Sequence, residues 1–320
     1  MIRYALRRLA ASILVLAVVS VALFGILRVL PGDPTLTLLG GVQGADAEGM
    51  QKVRHQLGLD LPIWVQYVSW VKGMFSWDFG QSYFSQVPVS SLVAARAWPT
   101  IELTLVALML AVAIAVPLAL MAAFKPKSIV DSLVRGFATL IMSVPPFVVA
   151  IALIVVFAIQ LRVLPTRGYV PLIEDPIGNL KVILLPALTL GLASAAPILR
   201  FLRTSLDDVS TAPYIRTARG KGLTKRRVLL EHALPNALLP TLTVLGLIVG
   251  RLLGGVVVIE YIFGWPGLGS LIVDAVFKRD YAVLQTTVLL AAAGFILSAL
   301  VVDILYGLID PRLRIGRSAS

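Results

Sequence analysis

Chemistry needs side chains that can ligate, attack or shuttle protons, and this 320-residue sequence is poor in them. Cysteine is absent, which removes disulfides, thiolate metal sites and thiol nucleophiles together. The only two histidines, His55 and His232, fall in separate polar stretches, leaving a histidine metal cluster or a serine triad little to work with. The phosphate-cradling pattern G-x-x-x-x-G-K-[ST] does not occur, so the chain is expected neither to bind nor to hydrolyse ATP by that device. No paired carboxylates or nucleophile constellation can be assembled either, which disfavours a membrane enzyme. Basic residues, glycines and prolines remain, the material of binding and positioning.

These are densest between Arg200 and Pro235, where eight Lys and Arg face only Asp207, Asp208 and Glu231. Ser210 and Thr211 are good N-cap residues, Pro213 suits a first turn, and Gly222 suits a left-handed stop, so a short helix is expected from about Ala212 to Lys221. Thr224 can cap a second helix running through Lys225, Arg226, Arg227 and Leu230 toward Pro235. Lipid-headgroup decoration would explain the charge alone; a capped helix in so long a loop points instead to docking of a partner. Arg251 is the one charge deep in an apolar run, where a guanidinium must face protein or a water-filled cavity. Pairing across helices and a place on a transport pathway, where it suits a peptide carboxylate, both stay open. Glu102, Glu260 and Asp303 lie near the ends of such runs, the usual place for snorkelling or interfacial residues.

The elements that hold these residues follow from composition. Hydrophobic residues make up 58% of the chain and charged ones 14%, against about 25% charged in ordinary soluble domains. That excludes a soluble globule and a disordered chain alike, and places the protein in a bilayer. Six runs approach the roughly 20 apolar residues that a span requires: Ala10 to Val29, Ile101 to Phe124, Gly136 to Gln160, Val182 to Leu199, Ala237 to Ile259 and Ala282 to Val302. The first follows Arg3, Arg7 and Arg8 but is too long for a signal-peptide core, so it is expected to be a retained span. With the N-terminus inside, the inner segments hold Arg3, Arg7 and Arg8; Lys125, Lys127 and Arg135; the eight of the long loop; and Arg312, Arg314 and Arg317, seventeen in all. The two short outer loops hold five: Arg162, Arg167, Lys181, Lys278 and Arg279. Both termini are therefore expected in the cytoplasm. The formal net charge of +11 is explained by this topology and not by nucleic-acid binding.

Two features lie outside the spans or interrupt them. Trp64, Tyr67, Val71 and Phe75 recur at helical spacing after Pro62, which predicts an amphipathic outer helix over 62–75, lying on the membrane or seating a binding protein. Pro145-Pro146 is expected to kink the third span near its first turns, with Pro117 and Pro186 acting likewise; Gly254-Gly255 and Gly264 to Gly269 suit close helix approach or a flexible turn.

The long loop also resembles the cytoplasmic signature of permeases in binding-protein-dependent ABC importers: Glu-Ala-Ala, three residues, Gly, nine residues, Ile-x-Leu-Pro. Here Arg216-Thr217-Ala218 is followed by Gly222 and then His232-Ala233-Leu234-Pro235 at the same spacing. Ala218, Gly222, Leu234 and Pro235 agree, while Arg216 and His232 stand in place of Glu and Ile. Leu30-Pro31-Gly32-Asp33-Pro34, Leu57 to Asp60 with Gln66-Tyr67, and Tyr214 to Arg219 are similar to the dipeptide, oligopeptide and nickel branch, and to its B-type permease in particular. Glu260 with Phe263, Pro266 to Gly269, Arg279-Asp280, and Asp303, Tyr306 and Asp310 to Arg312 continue the likeness over nearly the whole chain.

The resemblance implies an all-α integral membrane protein of the type I importer permease fold. Residues 1–99 would form the first span and the outer region, 100–310 a five-helix core with the coupling loop at 200–235, and 311–320 an inner tail. It implies a multi-pass location in a bacterial cytoplasmic membrane, with a homologous second permease, two ATP-binding subunits holding ATP and Mg, and an extracytoplasmic binding protein delivering di- or oligopeptides. This chain would hold no cofactor or metal and catalyse no reaction itself. Tyr214, Arg216, Thr217, Ala218, Arg219, Lys221, Gly222, Leu234 and Pro235 would form its ATPase-coupling loop. The rival is a secondary transporter or channel, which would usually show ionisable groups along several spans, whereas Arg251 is the only one in mid-span here.

Overall fold

A computed structural model describes residues 2–29, 51–52, 54–55 and 58–309. Leu30 to Pro34, Leu57 and Asp310 to Arg312, along with the basic residues of the tail, lie outside the described residues, as do the side chains of Asp303 and Tyr306. The described residues form helices in this order: α1 Ile2–Val29, α2 Ile63–Ser76, α3 Val89–Phe124, α4 Ile129–Ser143 and α5 Pro146–Leu153, which widens into a π-helical stretch Ile154–Gln160. Next come α6 Pro176–Ser210, α7 Pro213–Gly220, and α8 Leu234–Gly255, which is entered through Lys225–Arg227 and a second π-helical stretch, Val228–Ala233. The last three are α9 Val257–Phe263, α10 Leu268–Phe277 and α11 Tyr281–Ile309.

The centre of the bundle is the pair α3 and α6. Ala107, Ala111, Ala115 and Ala119 recur every fourth residue along α3 and are fully buried, so its backbone can approach a neighbour closely. Gly191 of α6 meets that seam: a Cβ on it would come within 3.2 Å of the Ala107 carbonyl oxygen. Register along the seam shows direction. At one end Asn179 Nδ2 donates to Glu102 Oε1 over 2.6 Å. At the other, Arg203 pairs with Asp131, which lies just past the end of α3. The two helices are therefore parallel, and the segment between them must carry the chain back across.

That return is made by α4 and α5, which are bent by 101°. The break is sharper than the kink expected at Pro145-Pro146, and the reason is local. A residue before proline is pushed out of the helical region, and Val144 sits at φ −98°, ψ 126°, so α4 must stop at Ser143. The fifth span also differs from expectation: α8 ends at Gly255, and Ile259 belongs to α9. Two adjacent glycines weaken a helix where it would have to continue. Helices α9 and α10, bent by 83°, stay at the end of the bundle where α3 begins, because Trp265 Nε1 donates to the Pro99 carbonyl over 2.9 Å. Among the described residues five helices, α1, α3, α6, α8 and α11, are long and apolar enough to cross a membrane, and the bent pair α4 with α5 makes a sixth candidate and α9 with α10 a seventh.

Candidate functional site

The long loop is built on the end of the bundle opposite Trp265. Its foundation is ionic: Asp131 of α4 accepts from Arg203 Nε at 3.1 Å, Arg203 also pairs with Asp207, and Arg135 closes on Asp131 at 3.2 Å. Ser205 Oγ of α6 donates to the Ala237 carbonyl of α8 over 3.1 Å, joining the two helices that flank the loop.

Ser210 and Thr211 do not cap α7 as expected. Their hydroxyls donate to the carbonyls of Asp207 and Asp208, both over 2.8 Å, and so close α6, which runs on to Ser210. Ala212 takes the N-cap position without a side-chain bond, and Pro213 opens the helix, where its missing N–H costs nothing. The short helix does not hang free. Ile215 and Ala218 are buried against the bundle, while Tyr214, Arg216, Thr217 and Arg219 are exposed. Spacing of three places Ile215 and Ala218 on one face, which leaves the other for contact outside the chain.

Gly222 has φ +78°, as the left-handed stop requires. Its N–H bonds the Arg219 carbonyl over 3.0 Å, and the next N–H, of Leu223, reaches back to Ala218 over 3.4 Å. This pair of bonds defines a Schellman cap at Gly222. Lys221 is exposed beside it. Thr224 then accepts from the Arg227 N–H at 3.4 Å, capping the second helix as expected. Lys225 lies over the Phe124 ring, 5.2 Å from its centroid, and Arg227 pairs with Glu231 at 2.8 Å. Pro235 cannot donate to the carbonyl four residues back and its ring crowds it; the π-helical widening just before Leu234 relieves that crowding. Leu234 is half-buried and Pro235 exposed. The loop thus presents exposed Arg216, Arg219, Lys221 and Arg226 around Tyr214 on a firmly seated base. Among the described residues, no cluster of His, Asp and Glu could hold a metal.

The opposite end holds a polar clamp that sequence reasoning missed. Glu260 is 0% exposed and Glu102 is buried, so neither snorkels. Thr100 Oγ1 donates to Glu260 Oε1 over 2.7 Å, and the Ser270 N–H donates to Oε2 over 2.9 Å. Gly267 and Gly269 crowd the same carboxylate: a Cβ on Gly269 would lie 2.5 Å from Val257 Cα and 2.9 Å from Glu260 Oε2. These glycines serve close approach, as one of the two expectations held. Asp280, from the Arg279-Asp280 motif, accepts from Ser82 Oγ and from the N–H groups of Tyr83 and Phe84, tying the segment between α2 and α3 to the start of α11. Glu260 stands four residues before the glycine- and proline-rich run Gly264 to Gly269, which is a local signal, but its partner Thr100 lies 160 positions away. Arg251 stands apart from both ends, exposed on α8.

Fold, loop and sequence converge on a class of membrane transport component. The chain belongs to the family of binding-protein-dependent transport system inner membrane components, whose model matches residues 115–315, with the N-terminal component of the same systems matching residues 1–104. It is 39% identical over 311 residues to a probable peptide ABC transporter permease protein, y4tP, of Sinorhizobium fredii, covering 97% of this chain and 99% of that one. It is 41% identical over 314 residues to the glutathione transport system permease protein GsiC of Escherichia coli, covering 98% and 99%. Among solved structures it resembles a chain of the inward-facing MetNI methionine ABC transporter, with TM-score 0.57 and 18% identity over 68% of this chain and 96% of that one. That likeness extends to the fold.

Proposed function

We propose that this chain is the permease subunit of an ATP-driven importer, forming with a second, homologous permease a path for small peptides. The observation that carries this reading is full-length similarity of about two residues in five to peptide and glutathione permeases. The loop supports it at the level of mechanism: one face of α7 is seated and the other is free, which is what a docking helix needs. Two ATP-binding subunits would take that face and supply ATP and Mg, since this sequence has no phosphate-cradling loop of its own. ATP then acts by binding one arrangement of those subunits better than another. Motion of α7 passes into α6 and α8, which the Arg203 and Ser205 bonds hold to the loop's base. The loop would face the cytoplasm with both termini, as the basic asymmetry requires, and α9, α10 and the outer region would face an extracytoplasmic binding protein.

The test is reconstitution. The complete complex in proteoliposomes, given its binding protein and a radiolabelled dipeptide or glutathione, should accumulate cargo when ATP is inside and stop when it is absent. Uptake that ignores ATP and follows an ion gradient would establish a secondary transporter instead.

A further inference from the structure

Arg251 sits at a depth where a charge needs a reason. Its neighbour Gly250 packs on α11 so closely that a Cβ there would lie 3.0 Å from both the Phe295 ring and Ser298 Oγ. Phe295 is the central residue of α11, so this level is about 21 Å along that helix from either end, at a rise of about 1.5 Å per residue. On α8, Thr241, Ile248 and Leu252 turn into the bundle. Thr243, Leu247 and Arg251 recur every fourth residue on an exposed stripe. The contrast with Arg203 is direct: that guanidinium is buried and held by Asp131 and Asp207, whereas no described residue of this chain forms a hydrogen bond or ion pair with the Arg251 guanidinium.

A stripe of Thr, Leu and an unpaired Arg is unsuited to acyl chains, which give a guanidinium neither water nor an acceptor. It must face a water-filled passage or another protein. We propose that this stripe lines the cargo's path and that Arg251 receives the terminal carboxylate of a small peptide. The inference rests on the peptide-importer reading. The guanidinium fork matches a carboxylate in two parallel hydrogen bonds. A terminal carboxylate is also the one anion that a short peptide carries whatever its side chains, so a single arginine can serve varied cargo. An acidic residue of the second permease is the competing partner, and it makes a different prediction.

Leu247 is 60% exposed one turn away and provides a reporter, because this chain has no other thiol. Leu247→Cys would be placed in the assembled complex, with a cysteine-free second permease, in nanodiscs. An impermeant methanethiosulfonate reagent should modify it, and a dipeptide at millimolar concentration should slow modification at least fivefold, while the C-terminal amide of that dipeptide should slow it less than twofold. Adding Arg251→Gln should abolish protection. In uptake, Arg251→Lys should retain a substantial part of the wild-type rate and Arg251→Gln should lose at least tenfold, both assembling with the second permease.

An unreactive thiol, equal protection by the amide, or unimpaired uptake by Arg251→Gln would overturn the proposal. So would failure of Arg251→Gln to assemble, which would identify a partner's carboxylate as the group that Arg251 meets. If the wild-type complex imports no peptide at all, the importer reading falls first and the carboxylate role goes with it; if wild type imports and the variants do not discriminate, only the role of Arg251 falls.

Discussion

At the scale of single residues, Gly222 makes the clearest demand. Its φ of +78° would strain any side chain, although nothing lies within 4 Å of where a Cβ would go. The cost is therefore conformational, about 1 kcal/mol and more for a β-branched residue, enough to misplace a docking helix without unfolding six spans. Gly222→Val should insert and pair normally but lose coupled uptake, measured as cargo transported per ATP hydrolysed. Gly220 lies inside α7 with open space around it, so Gly220→Ala should be neutral or slightly stabilising. Equal damage from both would move the cap elsewhere. Gly222 was legible in the sequence because a left-handed stop is a property of a few consecutive residues. Ser210 and Thr211 were misread for a related reason: a hydroxyl that can cap the next helix can equally bond back to the last turn of the previous one.

Among the elements, the hairpin of α9 and α10 depends on a fit that no local pattern announces. Gly267→Ala would drive a methyl into the Glu260 carboxylate, which Thr100 and Ser270 already hold. Overpacking of this kind costs about 1 to 3 kcal/mol, so the solubilised chain should melt several degrees lower. Gly294→Ala on α11 meets nothing within 4 Å and should melt as wild type does. Helix α2 was legible, with Ile63 to Ser76 against an expected 62–75, because its aromatic residues recur at the helical period. Its neighbour was not. Tyr67 shares a 2.8 Å hydrogen bond with Ser20, and Tyr67 and Trp70 pack on Phe24, both within the apolar stretch of α1. Trp64 and Trp77 point away, 70% and 73% exposed. Lying beside α1, whose apolar stretch is largely exposed, that face should meet the membrane interface, where Trp is favoured. Bromine-labelled lipids should quench the wild-type fluorescence, and Trp64→Phe/Trp77→Phe should lose most of the quenched component. Unchanged quenching would assign that face to another protein.

For the whole molecule, the orientation proposed from seventeen basic residues in the inner segments against five in the two short outer loops can be read chemically. Ser85 and Arg226 are both exposed, on opposite ends of the bundle. In intact cells Ser85→Cys should react with an impermeant maleimide and Arg226→Cys should not; the reverse would place the basic loop outside. Five spans, α1, α3, α6, α8 and α11, were legible from apolar run length alone, since hydrophobic thickness sets that length. Which spans pack together was not, because the alanines of α3 acquire meaning only when Gly191 arrives. That parallel pairing of the second and fourth crossings also fixes an order of birth. A ribosome must deliver the bent return of α4 and α5, and then all of α6 to Ser210, before the alanine seam can close. Until α6 has been made, the alanine face of α3 has no Gly191 to meet.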